Sequence, residues 1–148
     1  TPQRRWEARV IIKSLAAIHA STSLYGVGFF GKLRSDFTDA AYLAFMDADR
    51  SLVENLDPKL IIGYASIPIT DYGLNHGNVV LLTNMDAADE WMRLPAHMDA
   101  VHRVAPAVFN KIFLHNFDLP EGPGGRLVYR RTRVFDFSQL QPDQIRAA

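Results

Sequence analysis

Residues 79 to 119, "VVLLTNMDAADEWMRLPAHMDAVHRVAPAVFNKIFLHNFDL", decide the fold. The stretch opens on an apolar run, 79 to 84, whose composition predicts a strand buried on both faces. A helical pattern follows over 86 to 104, interrupted at Pro95. Beyond Pro106, "FNKIFLHNFDL" (109 to 119) predicts a strand on which Phe113, His115 and Phe117 share one face. Strand, helix and strand in this order make half of a layered domain.

The other half lies upstream. In "LYGVGFFGKL" (24 to 33), Tyr25, Val27 and Phe29 alternate with Gly26 and Gly28, which predicts a strand. Gly26, Gly28 and Gly31 leave room there for a helix or a ligand to approach closely. "GVGFFG" has the GxGxxG spacing, but it lies inside the strand rather than between strand and helix, which excludes a dinucleotide loop. Residues 38 to 56 predict a helix with Thr38 as N-cap and an apolar stripe of Phe37, Ala41, Ala44, Phe45, Ala48, Leu52 and Leu56, ended by Asp57-Pro58. "KLIIGYASIPI" (59 to 69) predicts a second strand, and "TDYGLNHGN" (70 to 78) a turn-rich connector.

The order from residue 24 is β-α-β-β-α-β. It predicts an α+β, ferredoxin-like domain, an antiparallel sheet with both helices on one face. One domain spans 1–148, with a core at about 23–119 and flanking extensions at 1–22 and 120–148. Residues 5 to 20 fit both templates, and their Ala-rich end predicts a helix. "LPEGPGG" (119 to 125) is a loop, and "RLVYRRTRVFDF" (126 to 137) an extra strand.

Of the 148 residues, 48% are hydrophobic and 22% charged, the balance of an ordinary soluble globular chain. Sixteen basic residues match sixteen acidic ones, so no net field draws the chain to nucleic acid or a membrane. The absence of cysteine excludes disulfides, thiolate metal sites and a cysteine nucleophile. No apolar run approaches the roughly 18 residues of a membrane span. "TPQRRWEARV" lacks a signal-peptide core, and the expected location is cytoplasmic.

The candidate chemistry centres on His97. Counting about 100° per residue from Pro95, His97 falls mid-stripe with Val101 and Val104, whereas Asp99, His102 and Arg103 fall opposite. A histidine in the first turn of a helix is disfavoured as imidazolium by the free N–H groups and the dipole, so His97 is expected to be neutral at pH 7 and able to accept a proton. A core histidine satisfied by backbone or water is the other reading.

"DEWMRLPAH", followed after a short helix by "NKIFLHNFDLP", resembles the dimeric α+β-barrel superfamily, in particular its stress-responsive A/B-barrel and olivetolic-acid-cyclase-like branches. The resemblance covers about residues 23 to 119, and its specific part is the Pro95-Ala96-His97 helix and the strand after it. It implies a homodimer joined sheet to sheet. It also implies a cofactor-free enzyme acting on a small apolar carbonyl or polyketide-like molecule as cyclase, isomerase or monooxygenase, with His97 as base. A haem-degrading enzyme and a non-catalytic binding protein are the alternatives within the same resemblance. The cyclase's partner tyrosine, six residues before the histidine, corresponds to Trp91, whose indole donates a hydrogen bond but cannot relay a proton.

Tyr25, Tyr64 or Tyr72 could supply the missing phenol, with Tyr25 first because its strand lies next to the second helix, although Tyr25 reads more simply as a core aromatic. Trp91, Val27, Phe29, Phe45 and Val101 are the expected binding wall. Asn110 and Asn116 could orient a carbonyl but read more simply as exposed strand residues. His115, between two phenylalanines, reads as a dimer-interface residue. His97 and His102 are five apart, about 140° around a helix, and cannot share a metal ion. Arg126, Arg130, Arg131 and Arg133 read as a solvated edge strand, with an anion-docking patch as the alternative.

Overall fold

The computed structural model describes residues 9–12, 14–54, 61–68 and 76–140. Strand β1 (Arg9–Ile12) and helix α1 (Leu15–Ala20) precede β2 (Leu24–Leu33), α2 (Asp39–Glu54), β3 (Ile61–Pro68) and β4 (His76–Leu82). Then come α3 (Met85–Met92), α4 (Pro95–Asp99), a π-helical turn (Ala100–Val104), α5 (Ala105–Val108), β5 (Phe109–Leu119) and β6 (Val128–Asp136). The six strands form one sheet in the order β1-β3-β4-β2-β5-β6, every pair antiparallel. Its central four strands carry the β-α-β-β-α-β order, so the chain has an α+β, ferredoxin-like fold, extended by one strand at each edge.

Alternation along β2 separates the two sheet faces. Tyr25, Val27 and Phe29 point to the helical layer, where they meet residues of α2, α3 and α5. Gly26, Gly28 and Phe30 point away, opposite Phe117, His115 and Phe113 of β5. The space at the glycines is taken by neighbouring rings rather than by a helix. A Cβ on Gly26 would stand 2.1 Å from the Phe117 ring, and one on Gly31 would stand 2.4 Å from the Phe109 ring.

The N-terminal extension departs from the helix expected over 5 to 20. Residues 9–12 form a strand because the edge of β3 offers an unpaired ladder, and the Val10/Ile12 alternation suits it. The Ala-rich end is helical as its composition predicts, capped where Ser14 Oγ accepts from the Ala17 amide at 3.0 Å. Residues 5 to 8 and 13 lie outside the described residues.

β4 begins at His76, inside the expected connector. His76 and Asn78 are buried between β2 and β3, and pairing on both sides overrides the turn propensity of "NHGN". The remainder of that connector, with Tyr72, lies outside the described residues.

In α2, Thr38 caps the helix by accepting from the Ala41 amide at 3.1 Å. The buried positions are Phe45, Asp49 and Val53, so the stripe centres on a carboxylate rather than on Ala44, which is exposed.

The second helical layer does not end before Pro106 but runs to Val108. Pro106 has no N–H to offer the His102 carbonyl, and its ring would strike that carbonyl in a regular α-helix. The turn ahead of it widens instead, and the Ala105 amide reaches back five residues to the Ala100 carbonyl. Further back, Pro95 disfavours the helical conformation at the residue before it. Leu94 accordingly is extended, with φ −59° and ψ 134°, and separates α3 from α4.

Candidate functional site

Two apolar clusters fill the space between helices and sheet. One gathers Tyr25, Val27, Tyr64, Val80, Leu82 and Trp91. The other gathers Phe45, Val104, Val108, Phe109 and Ile112. Between them lies a cavity of about 490 Å³. Its wall is largely apolar and is drawn from both clusters, with polar groups from Asp49, Tyr64, Trp91, His97 and Arg133.

His97 enters this cavity from the first turn of α4, and its ring packs edge-to-face on Trp91, with centroids 4.4 Å apart at 63°. The two positions are about 240° apart on a continuous helix. They converge because the extended Leu94 turns α3 away from α4. His97 Nδ1 is buried without a hydrogen-bond partner. Burial is the main cause that pushes the imidazole pKa down to about 4, followed by the Arg133 charge; a hydrogen bond to the Met92 backbone opposes this, and His102 adds a smaller repulsion. His97 is therefore neutral at pH 7.

The arginine on β6 is where the structure corrects the edge-strand reading. Arg126 and Arg130 are exposed and face Glu121 and Asp118, and Arg131 is exposed. Arg133 instead turns into the cavity wall. Its Nη2 donates to the Met92 sulfur at 3.3 Å, and its Nε is buried without a partner. Trp91 Nε1 is a second buried donor with no partner. The strand period placed Arg131 and Arg133 on one face, but only pairing with Leu114 of β5 puts that face under the helices.

Trp91, Val27, Phe29, Phe45 and Val101 all line the cavity. Tyr25 is not among the lining residues. It is 5% exposed, and its hydroxyl accepts from Asn116 Nδ2 at 2.8 Å. Asn116 is thus buried rather than an exposed strand residue. The phenol in the cavity wall is Tyr64, whose hydroxyl donates to Asp49 Oδ2 at 2.6 Å. Asp49 escaped the sequence reading because a carboxylate inside a helical stripe looks like a break in it. His102, expected on the opposite face, is exposed yet contributes to the cavity wall through the widened turn. Asn110 lies away from the main cavity, beside Arg34 and Ser138. His115 lies on the far face of the sheet, where Nδ1 is 2.7 Å from Thr132 Oγ1 and the ring stands 5.4 Å from Phe30. Among the described residues, no three His, Cys, Asp or Glu side chains converge as a metal site, and no helix is long and apolar enough to cross a membrane.

No family model and no curated protein sequence matches the chain. Solved structures share its fold. A Lactobacillus acidophilus protein, provisionally named a monooxygenase, aligns with TM-score 0.56 at 12% identity over 88% of this chain and 55% of its own. A Shewanella oneidensis protein aligns with TM-score 0.53 at 15% identity over 82% of this chain and 99% of its own. An Arabidopsis thaliana protein aligns with TM-score 0.53 at 11% identity over 62% of this chain and 91% of its own.

The depressed basicity of His97 sets a pH dependence of stability. Between its folded pKa of about 4 and the ordinary value of 6.5, the unfolded chain binds the proton and the folded chain does not. Stability contributed by the neutral ring is complete above about pH 6.5 and is lost as pH falls toward about 4, by roughly 2–3 kcal/mol. Urea unfolding at pH 7 and pH 4.5 should therefore show a smaller acid-induced loss in His97→Gln than in the wild-type protein. Equal losses would mean that the imidazole is not desolvated.

Proposed function

We propose that the chain is a dimeric α+β-barrel enzyme of the cofactor-free type, acting on a small, largely apolar carbonyl compound with His97 as general base. The observation that carries this reading is a neutral imidazole, with one nitrogen unpartnered, in the wall of an apolar cavity of about 490 Å³. Such a volume lies within the roughly 300–1,000 Å³ of ligand sites, and a filled core would leave none. His97 takes a proton from the carbon next to the carbonyl. The C–H electron pair moves onto the carbonyl oxygen as an enolate; return of the proton to another carbon completes an isomerisation, whereas attack of the enolate carbon on a second carbonyl of the same molecule, with the proton going to the resulting alkoxide, completes a cyclisation. Trp91 serves as wall and hydrogen-bond donor, and the Tyr64–Asp49 pair supplies a phenol on another part of the wall. A positioned base contributes about 10²- to 10⁴-fold, and apolar enclosure by Val27, Phe29, Phe45 and Val101 supplies the rest.

Proton abstraction is read most directly as hydrogen–deuterium exchange at the α-carbon of benzoylacetone, an apolar β-diketone, followed by NMR in D2O. The wild-type protein should accelerate exchange, and His97→Gln should lower that acceleration about 100-fold. Full acceleration in His97→Gln would reduce His97 to an orienting group.

The homodimer belongs to the same proposal. The outer sheet face carries Phe30, Phe113 and Phe117 around His115, bordered by Val10, Ile12 and Val134, which are 69%, 50% and 53% exposed. A contiguous apolar face of this kind marks an interface, and a second copy of the same sheet covers it. Sedimentation at micromolar concentration should give twice the chain mass; a monomer at high concentration contradicts the arrangement.

A further inference from the structure

We infer that the Arg133–Trp91 end of the cavity is an anion subsite, so that the ligand is an amphiphile: an apolar body with one carboxylate-like group. This deepens the proposed function, since it concerns the same cavity.

Arg133 is always charged. Its guanidinium makes no carboxylate pair among the described residues, and its recorded contact is with the Met92 sulfur, a weak acceptor. Exposed basic residues elsewhere on the chain do have carboxylate partners, as in Arg103–Asp99, Lys111–Asp136 and Arg130–Asp118. A half-buried guanidinium facing an apolar cavity without a counter-charge is costly unless something else completes it. Its buried Nε has an open donor, and Trp91, only 9% exposed, has a second in Nε1. Met92 links the two in space: it follows Trp91 in the chain and its sulfur receives Arg133. Two open N–H donors, one of them cationic, match the acceptor-only chemistry of a carboxylate.

The local field has the same sign. The charge that acts most strongly on His97 is that of Arg133, and it is positive. The other ionisable groups in the wall are Asp49, Tyr64, Asp89 and Arg93, and Asp49 is engaged by the Tyr64 hydroxyl. An anion seated on Arg133 offsets the repulsion that this charge adds to the effect of burial, and so makes His97 a stronger base when the ligand is present. The apolar residues Phe45, Leu52, Val101 and Phe135 then receive the ligand's body.

The probe is octanoate against 1-octanol at neutral pH, titrated by calorimetry. The wild-type protein should bind octanoate at least about 10-fold more tightly than 1-octanol. In Arg133→Gln the preference should vanish while 1-octanol still binds, which shows that the variant keeps the cavity. Equal affinities in the wild-type protein, no binding of octanoate, or a preference that survives Arg133→Gln would each overturn the subsite. Failure of the enzyme reading is separate, because it shows in benzoylacetone exchange by His97→Gln and leaves the octanoate preference untouched.

Discussion

The restriction that a proline places on the residue before it is the constraint on which the rest of this site depends. Pro95 holds Leu94 extended, and the helical layer breaks into two segments that no longer share one axis. Without the break, Trp91 and His97 would face different directions. With it, their rings touch at 4.4 Å and close one end of the cavity. A second proline, Pro106, acts further along the same layer. Pro106 widens the turn before it, which lets α5 continue and delivers Val104, Ala105 and Val108 to the sheet. Two local backbone rules therefore shape a cavity that neither apolar cluster fills.

Burial and charge act on His97 in the same direction. Removing the ring from water disfavours the imidazolium, and the Arg133 charge adds to that. The result is an imidazole kept free of its proton at pH 7, though a weak base. On the proposed reading, negative charge that arrives or develops beside Arg133 raises the basicity of this imidazole. The imidazole, the indole N–H and the guanidinium are on this account parts of one device, held by α4, α3 and β6 in turn.

The order of elements from residue 24 was legible in the sequence because apolar periodicity is a local signal, and so was the inward face of His97. Its contact with Trp91 could be anticipated only as a consequence of the break. What escaped depended on partners distant in the chain. Residues 9–12 become a strand because β3 needs an edge partner, and His76 to Asn78 become a strand because β2 and β3 lie on either side. Arg133 leaves the solvated edge because β6 pairs with β5 in a register that turns Arg133 beneath the helices, beside Met92. Asp49 was hidden by its own polarity, since a carboxylate on a buried stripe makes sense only once the Tyr64 hydroxyl is known to reach it.

The central claim is that His97 is a desolvated, neutral imidazole facing the cavity. It is tested most directly by NMR titration of the histidine ring protons, with the His97 signal assigned by its loss in His97→Gln. The account predicts that this signal titrates near its depressed pKa of about 4 and shows ring-current shifts from Trp91. A midpoint near the ordinary 6.5, with shifts insensitive to Trp91→Leu, would place the ring in water and contradict it.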